Sequence, residues 1–281
     1  MKLLRYGPEG HELPGVLDEA GQIRDLSGIV DHIDAAGLAP ASLQRLRQLK
    51  IEALPKVPGK PRLGVPYVGI SKFIGIGLNY ADHAAECGLK LPKEPIPFNK
   101  WTTCITGPSD DIVLPRGSTK TDWEVELGVV IGQTARYVEE AEALNYVAGY
   151  CTVCDISERN FQIERGGQWD RGKGCDSFGP IGPYLVTADE VPNPQALDLW
   201  LSVDGQRMQS GNTRTMIFGV AHLVAYLSQF MTLLPGDIIA TGTPPGVGMA
   251  RKPPRFLQAG NRLRLSVQGL GEQVHTVRAS D

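Results

Sequence analysis

The sequence lacks any apolar run approaching the roughly 18–20 residues that a membrane-spanning helix needs. Even the apolar segment 217–227 is interrupted by Gly219 and His222. Residues 1–8 contain no continuous apolar core, so we expect no signal peptide and a cytoplasmic protein. The net charge of −3 provides no basic surface, which argues against a nucleic-acid partner.

The chain also lacks the cysteine pattern of a disulfide framework, because its five cysteines are an odd and scattered set. Cys151 and Cys154 have the spacing of a redox or zinc half-site. A closed zinc site normally needs four ligands, and no second pair follows at a matching distance. Residues 150–156 resemble a strand, which would point the two thiols to opposite faces. We therefore expect buried structural cysteines.

Turn-forming residues are abundant, with 33 Gly and 21 Pro in 281 residues, as in folds with many short strands. Residues 1–66 are predicted to form a small N-terminal module with a hairpin at 15–26, a helix at 41–49 and a Pro-rich linker. From residue 67 to 281 short apolar strands dominate, and the clearest helix covers 219–230. The pattern predicts a β-rich α+β protein with two domains, 1–66 and 67–281.

The segment 122–131 places two carboxylates in an apparently buried strand. Side chains two apart on a strand share a face, so Glu124 and Glu126 should project together, with Cα atoms roughly 7 Å apart. Like charges on one face of a core strand repel and are costly to desolvate, and a shared cation would resolve that conflict. The alternative is the exposed polar face of an edge strand.

Asp155 follows a second apolar run, residues 146–153, and is a third carboxylate candidate. Three carboxylates offer only hard oxygen ligands, which favours Mg²⁺ or Mn²⁺. Zinc is disfavoured because no His or Cys belongs to this set. The sequence alone does not place Asp155 beside the two glutamates.

His83 and Glu86 are three residues apart in the alanine-rich segment 79–86. On a helix such side chains lie on one face. The carboxylate would there fix the tautomer of the imidazole and raise its basicity, as in hydrolytic dyads. The alternative is a chance pair on a surface helix. Residues 87–101 contain three prolines and predict a mobile lid beside this pair.

Residues 167–174 (GQWDRGKG) nearly match a phosphate-binding P-loop, but Gly174 stands where a metal-binding Ser or Thr is required. No strand clearly precedes this segment either, so we reject nucleotide binding. Lys173, held between two glycines, could reach a ligand anion or be an ordinary loop lysine. Residues 241–248 (TGTPPGVG) form a rigid turn that presents a hydroxyl and free amides, or that serves structure alone.

Several of these segments match one family jointly and in order. They are residues 73–86 (FIGIGLNYADHAAE), 122–128 (DWEVELG), 149–159 (GYCTVCDISER), 173–183 (KGCDSFGPIGP), 209–213 (QSGNT) and 241–248 (TGTPPGVG). Together they resemble the fumarylacetoacetate hydrolase family over about residues 70–281. The resemblance implies a mixed β-sandwich roll, usually dimeric, in which residues 67–281 form the catalytic domain. A short N-terminal module is also common in this family.

The resemblance also implies the roles of individual residues. It implies one divalent metal ion, Mg²⁺ or Mn²⁺, on Glu124, Glu126 and Asp155. His83 and Glu86 would form a water-activating dyad on a segment that orders when substrate binds. Distant members with a fourth carboxylate carry an Asp before the His, and residues 75–78 contain none here, so we expect the three-carboxylate type. The positions matching contacts to the substrate and its developing negative charge are Arg159, Gln162, Lys173 and Thr243.

The reaction implied by the resemblance is hydrolysis of the C3–C4 bond of a 2,4-dioxo acid to pyruvate and a second acid. Residues 164–169 (ERGGQW), 213–219 (TRTMIFG) and 250–256 (ARKPPRF) look like the branch acting on 2,4-diketo-3-deoxy sugar acids. In that branch, 2,4-diketo-3-deoxy-L-rhamnonate or -L-fuconate would give pyruvate and L-lactate.

Other activities use a similar metal-stabilised enolate. They are oxaloacetate decarboxylation, isomerisation of a hydroxymuconate-type diacid, and hydrolysis of acylpyruvates or fumarylpyruvate. The His83–Glu86 pair favours water attack over decarboxylation. An alternative of another class is a non-catalytic metal-binding scaffold, which should show damage at the matched positions, and none is damaged.

Overall fold

A computed structural model describes residues 1–280 of the chain. Its α-helices are α1 (Pro40–Arg47), α2 (Ala81–Glu86), α3 (Asp170–Lys173) and α4 (Val220–Ser228). A π-helical turn covers Asn160–Glu164. Short 3₁₀ turns lie at Ile51–Ala53, Thr102–Cys104, Glu140–Tyr146, Ala188–Glu190, Thr213–Thr215 and Gly248–Ala250. No helix within residues 1–280 is both long and apolar enough to cross a membrane.

Strands provide most of the regular structure. They are β1 (Lys2–Tyr6), β2 (Leu13–Leu17), β3 (Ile23–Asp25), β4 (Phe73–Gly77), β5 (Ile96–Lys100), β6 (Ile105–Thr106), β7 (Ile112–Leu114), β8 (Thr121–Asp122), β9 (Val125–Ile131), β10 (Val147–Cys154), β11 (Ser157–Glu158), β12 (Gly179–Pro180), β13 (Leu185–Thr187), β14 (Asp198–Val203), β15 (Gln206–Asn212), β16 (Ile238–Ala240), β17 (Arg262–Val267) and β18 (Glu272–Ala279).

Two mixed sheets pack against each other around one apolar core. The larger has the order β3-β2-β1-β13-β10-β9-β16-β4-β5, and the smaller has the order β15-β14-β17-β18-β7. Most neighbours are antiparallel, but β4 and β16 are parallel, as are β7 and β18. β9 and β10 of the larger sheet contact β14 and β17 of the smaller one. This is the predicted β-rich sandwich roll, and the fold class is confirmed.

β9 lies at the centre of the larger sheet, between β10 and β16, and every one of its residues is buried. The interpretation of segment 122–131 as an exposed edge strand is therefore wrong. Close packing here depends on Gly128, where a Cβ atom would lie 2.6 Å from Val153 Cγ2. Because the strand is covered on both faces, Glu126 within it and Glu124 just before it reach bulk water only through a cavity.

The N-terminal module contains the predicted hairpin, as β2 and β3, and the predicted helix, as α1. Its sheet is continuous with the rest of the molecule, because β1 pairs with β13 through Leu3 and Leu185. The division into domains 1–66 and 67–281 stays a prediction. Cys151 and Cys154 are buried free thiols, as the sequence suggested.

Part of the segment 87–101, which is predicted to form a mobile lid, has regular structure. Residues 96–100 form β5, which pairs antiparallel with β4 at one edge of the larger sheet. The alternate residues Phe98, which is partly buried, and Lys100, which is fully buried, explain this, because they pack at the sheet edge and the prolines do not prevent it. Only residues 87–95 lie between α2 and β5 without regular structure beyond a turn.

Candidate active site

The antiparallel pairing of β9 and β10 brings the three predicted metal ligands together. Val125 pairs with Cys154, so Glu124 just before β9 lies beside Asp155 just after β10. The Asp155 backbone N–H donates to Glu124 O at 2.9 Å, which extends this pairing by one step. Carboxylate oxygens of Glu124, Glu126 and Asp155 all lie within 4.8 Å of one another, and the three residues are buried.

Buried cations surround two of these carboxylates. Lys173 Nζ lies 2.6 Å from both Glu124 Oε2 and Asp155 Oδ2. Arg159 bonds Glu124 Oε1 at 2.6 Å and Asp122 Oδ2 at 2.9 Å. Burial alone would raise the pKa of Glu124, but the charges of Lys173 and Arg159 hold it well below its usual range. Glu124 is therefore ionised at neutral pH.

Glu126 has the opposite electrostatic environment. Desolvation raises its pKa well above the usual range, and the negative charges of Asp155 and Glu124 raise it further. One carboxylate oxygen, Oε2, accepts a hydrogen bond from Gly242 N–H at 2.8 Å. Among residues 1–280 Glu126 forms no salt bridge, whereas Glu124 and Asp155 each do.

The donor chemistry of this cluster fits a hard divalent cation. All three ligand groups are carboxylates, the ligand type that suits Mg²⁺ and Mn²⁺. Three buried cations, Arg159, Lys173 and Lys100, face these three carboxylates and Asp122, which leaves one negative charge in excess when all are ionised. A cation at Glu126 would offset that excess.

The predicted dyad forms on α2. His83 Nδ1 lies 3.1 Å from Glu86 Oε2. Because an ionised carboxylate only accepts, Nδ1 is the donor, and Nε2 of the neutral ring is left with its lone pair. Glu86 also accepts from Gly246 N–H at 3.0 and 3.1 Å, so the turn at 241–248 holds this carboxylate in place. The interpretation of His83 and Glu86 as a chance surface pair is therefore not favoured.

One cavity of about 460 Å³ is lined by Glu124 and Glu126 of the carboxylate cluster and by the dyad histidine. Its polar wall consists of His83, Glu124, Glu126, Arg159, Gln162, Lys173 and Thr243. Its apolar wall consists of Ile76, Leu78, Leu89, Ile96, Phe98, Ile163, Trp169 and Met249. A larger cavity of about 500 Å³ shares Ile96, Phe98 and Trp169 but has only Lys72 and Asp170 as charged residues, so the smaller one is the candidate active site.

The other predicted contact residues also line this cavity. Arg159 Nη1 donates to Gln162 Oε1 at 3.0 Å, and Gln162 lies on the π-helical turn. Thr243 donates to Val125 O at 2.9 Å and accepts from Gln209 Nε2 at 2.7 Å. Each group is thus held by a second buried group, which restricts its rotamer.

Lys173 is not an ordinary loop lysine, because it ends α3 and is buried. Its approach to the carboxylates depends on the preceding Gly172, which packs against β11. A Cβ atom at Gly172 would lie 2.4 Å from Glu158 O. At Gly174 a Cβ atom would lie 2.9 Å from the Trp101 ring, so both glycines that flank Lys173 allow close packing.

Lys100, Asp122 and the aromatic wall formed by Phe98 and Trp169 also belong to the site and are not among the residues predicted from the sequence. Lys100 is fully buried on β5, and its Nζ lies 2.6 Å from Asp155 Oδ1. It also donates to the backbone oxygens of Ile156 and Lys173. Only the position of Lys100 at the end of a strand-like run signalled its role, and residues 87–101 were interpreted as a lid.

Comparison with known proteins defines the class of protein to which the chain belongs. The family model described as fumarylacetoacetate (FAA) hydrolase C-terminal matches residues 72–278. The chain belongs to the fumarylacetoacetate hydrolase family, whose solved members include hydrolases and isomerases.

Individual relatives cover the chain almost end to end. A protein from Burkholderia ambifaria is 64% identical over 279 residues, 99% of each chain, and has a provisional hydrolase name without a substrate. The fumarylacetoacetate hydrolase of Exiguobacterium antarcticum is 34% identical with a TM-score of 0.87, covering 100% of both chains. The maleylpyruvate hydrolase of Sphingobium, solved with manganese(II) and pyruvate, is 28% identical with a TM-score of 0.84 and the same coverage.

Proposed function

We propose that this protein is a metal-dependent hydrolase that cleaves the C3–C4 bond of 2,4-dioxo acids and releases pyruvate. The observation that carries the proposal is that one cavity is lined both by Glu124 and Glu126 of the hard three-carboxylate cluster and by a histidine oriented by a carboxylate. The manganese- and pyruvate-bound relative supports the same class of metal and product. The catalytic residues are His83, Glu86 and Lys173.

Glu124, Glu126 and Asp155 hold the divalent ion, Mg²⁺ or Mn²⁺. When bound, that ion supplies Lewis-acid polarisation of the substrate's 2-oxo group. Arg159, Gln162 and Thr243 bind the oxo-acid end of the substrate, since they are the remaining hydrogen-bonding groups on the polar wall. The acyl group then extends toward the wall formed by Phe98 and Trp169.

His83 Nε2 takes a proton from water, and the water oxygen adds to the C4 carbonyl carbon. Glu86 holds the ring in the required tautomer and stabilises the imidazolium that forms. The C3–C4 bond then breaks, and its electron pair passes to the pyruvate enolate. The Lys173 ammonium stabilises this developing charge. Return of the proton to C3 yields pyruvate, and C4 becomes the carboxyl of the second acid.

The identity of the acyl group has two candidates. The segments 164–169, 213–219 and 250–256 favour 2,4-diketo-3-deoxy-L-rhamnonate or -L-fuconate, with L-lactate as the second product. The apolar wall, with Leu89, Phe98, Trp169 and Met249, favours an acylpyruvate with an apolar tail instead. An apolar wall binds hydroxyl groups poorly, because they lose water without gaining partners.

Isomerisation and decarboxylation are the remaining alternatives at this site. A solved relative from Mycobacterium marinum, 31% identical with a TM-score of 0.78, is a 2-hydroxyhepta-2,4-diene-1,7-dioate isomerase. Decarboxylation does not require water to be activated. The 3.1 Å contact between His83 and Glu86 therefore favours hydrolysis over decarboxylation. We also expect a homodimer, which size-exclusion chromatography with light scattering would test. The expected location is the cytoplasm.

The test is pyruvate release from a panel of dioxo acids with Mg²⁺, with Mn²⁺ and with a chelator. The panel contains the two diketo-deoxy sugar acids, acylpyruvates with short and with aromatic tails, fumarylpyruvate and oxaloacetate. Chelator-sensitive pyruvate with an equimolar second acid is the expected result. Activity confined to oxaloacetate with loss of carbon dioxide, or isomerisation without cleavage, would overturn the hydrolase assignment.

A further inference from the structure

The dyad helix carries a second set of metal-ligating atoms, separate from the carboxylate cluster. One atom from each of His83, Glu86 and Cys87 lies within 4.8 Å of the other two. Their positions are i, i+3 and i+4, so α2 and its C-terminal residue Cys87 present all three side chains on one face. A pair of ligands at i and i+4 on a helix is also how zinc proteases hold their metal.

The distances among these atoms approach those of a tetrahedral zinc site. Ligand bonds of about 2.0–2.3 Å at the tetrahedral angle separate a nitrogen and an oxygen by about 3.3 Å, and a nitrogen and a sulfur by about 3.6 Å. His83 Nδ1 lies 3.1 Å from Glu86 Oε2 and 3.9 Å from Cys87 Sγ. Shifts of a few tenths of an ångström would therefore bring His83 Nδ1 to these separations from Glu86 and Cys87, and the Glu86 oxygen and Cys87 Sγ lie within 4.8 Å of each other.

Two further features support binding of an ion. Gly246 N–H holds the Glu86 carboxylate, in the way that outer groups orient metal ligands. His83 and Cys87 both line the cavity, so an ion and a fourth ligand from solvent can reach them.

The donor set of nitrogen, oxygen and sulfur differs from the all-oxygen set of Glu124, Glu126 and Asp155. Softer ions such as Zn²⁺ and Co²⁺ prefer the former, and Mg²⁺ the latter.

We propose that His83, Glu86 and Cys87 form a regulatory site for a borderline-soft divalent cation such as Zn²⁺, and that its occupation inhibits the enzyme. The cation binds His83 Nδ1, a Glu86 oxygen and Cys87 Sγ. The ring adopts the tautomer that carries its proton on Nε2, and the thiol proton passes to solvent. The His83–Glu86 hydrogen bond is thereby lost, and the ring next to a cation is a poor base. The inhibition rests on the proposed hydrolase function, but the binding does not.

The first experiment titrates Co²⁺ into protein kept in excess Mg²⁺ and follows the charge-transfer absorption of a cobalt–thiolate bond. Wild type should develop this band, and Cys87→Ser should not. The matched control is Cys175→Ser, another partly buried free cysteine, whose thiol donates to Arg171 O; it should keep the band. A band that persists in Cys87→Ser, or its absence from wild type, would overturn the site.

The second experiment measures Zn²⁺ inhibition at saturating Mg²⁺, with each variant normalised to its own activity without Zn²⁺. The half-inhibitory Zn²⁺ concentration should be at least about tenfold higher in Cys87→Ser than in wild type or Cys175→Ser. Equal inhibition of all three would mean that Zn²⁺ acts at the carboxylates, which refutes the regulatory role. If no dioxo acid is cleaved, the proposed function fails, while the cobalt band still decides the binding site.

Discussion

Binding of the divalent ion should release a proton from Glu126. Burial and the neighbouring charges of Asp155 and Glu124 raise the Glu126 pKa well above its usual range, so without the ion this carboxyl keeps its proton to a higher pH than an ordinary glutamate. A carboxylic acid must lose that proton to become a ligand. The Glu124 pKa is shifted downward, so Glu124 has no proton to release.

The sign and size of the effect follow from this linkage. Below the pKa of Glu126, each unit of pH should change the apparent affinity for Mn²⁺ about tenfold, or about 1.4 kcal/mol, with tighter binding at higher pH. The Glu126 contribution to the free energy of unfolding of the ion-free protein should show the opposite trend and decrease as pH rises. A raised folded-state pKa stabilises the fold below the unfolded pKa, and that stability is lost as pH rises through the folded pKa.

Isothermal calorimetry of Mn²⁺ binding in buffers of different ionisation enthalpy counts the protons released. We expect about one more proton for wild type than for Glu126→Gln, which should also bind the ion more weakly. Glu19→Gln, the same change at an exposed position, is the matched control. Proton release that is zero in wild type, or equal in Glu126→Gln, would refute the assignment of Glu126 as a protonated ligand.

Three other substitutions test the remaining parts of the site. His83→Gln should keep Mn²⁺ and pyruvate binding but lower kcat by about 10²–10⁴-fold; wild-type turnover would rule out the dyad. Lys100→Met breaks the buried pair with Asp155 and should lower the free energy of unfolding by about 3–5 kcal/mol, measured by urea unfolding, with partial recovery in Mn²⁺; an unchanged midpoint would contradict this. Trp169→Ala should raise KM for acylpyruvates with aromatic tails more than for short ones; equal changes would remove Trp169 from the acyl pocket.

Local geometry explains which parts of the site the sequence predicted. The spacing of Glu124 and Glu126 on a strand, and of His83 and Glu86 on a helix, determines that each pair shares a face. These relations need only the chain's own backbone. The choice between a core strand and an edge strand for segment 122–131 was not local, because it depended on β10 and β16 pairing on either side of β9.

The prediction for residues 87–101 shows where a local sequence pattern was not sufficient. Three prolines in residues 87–101 suggested an irregular segment, but proline is tolerated in an edge strand, where an N–H that faces solvent is not needed. Pro97 pairs with Ile76 in β5 at the end of the sheet order. Lys100 and Phe98 lie on the same strand. Because the strand was not predicted, the ion pair of Lys100 and the contribution of Phe98 to the cavity wall were not predicted either.

The sequence by itself therefore determined the β-rich class, the two local pairs of functional side chains and the hard donor set. Only the tertiary structure decided that Asp155 joins the glutamates, that Lys100 reaches Asp155 from 55 residues away, and that Phe98 and Trp169 close one cavity. Periodicity along a backbone depends only on neighbouring residues, so it can be read directly from the amino-acid sequence. Burial, ion pairing and the resulting pKa shifts depend on strand register between distant segments, which no local pattern contains.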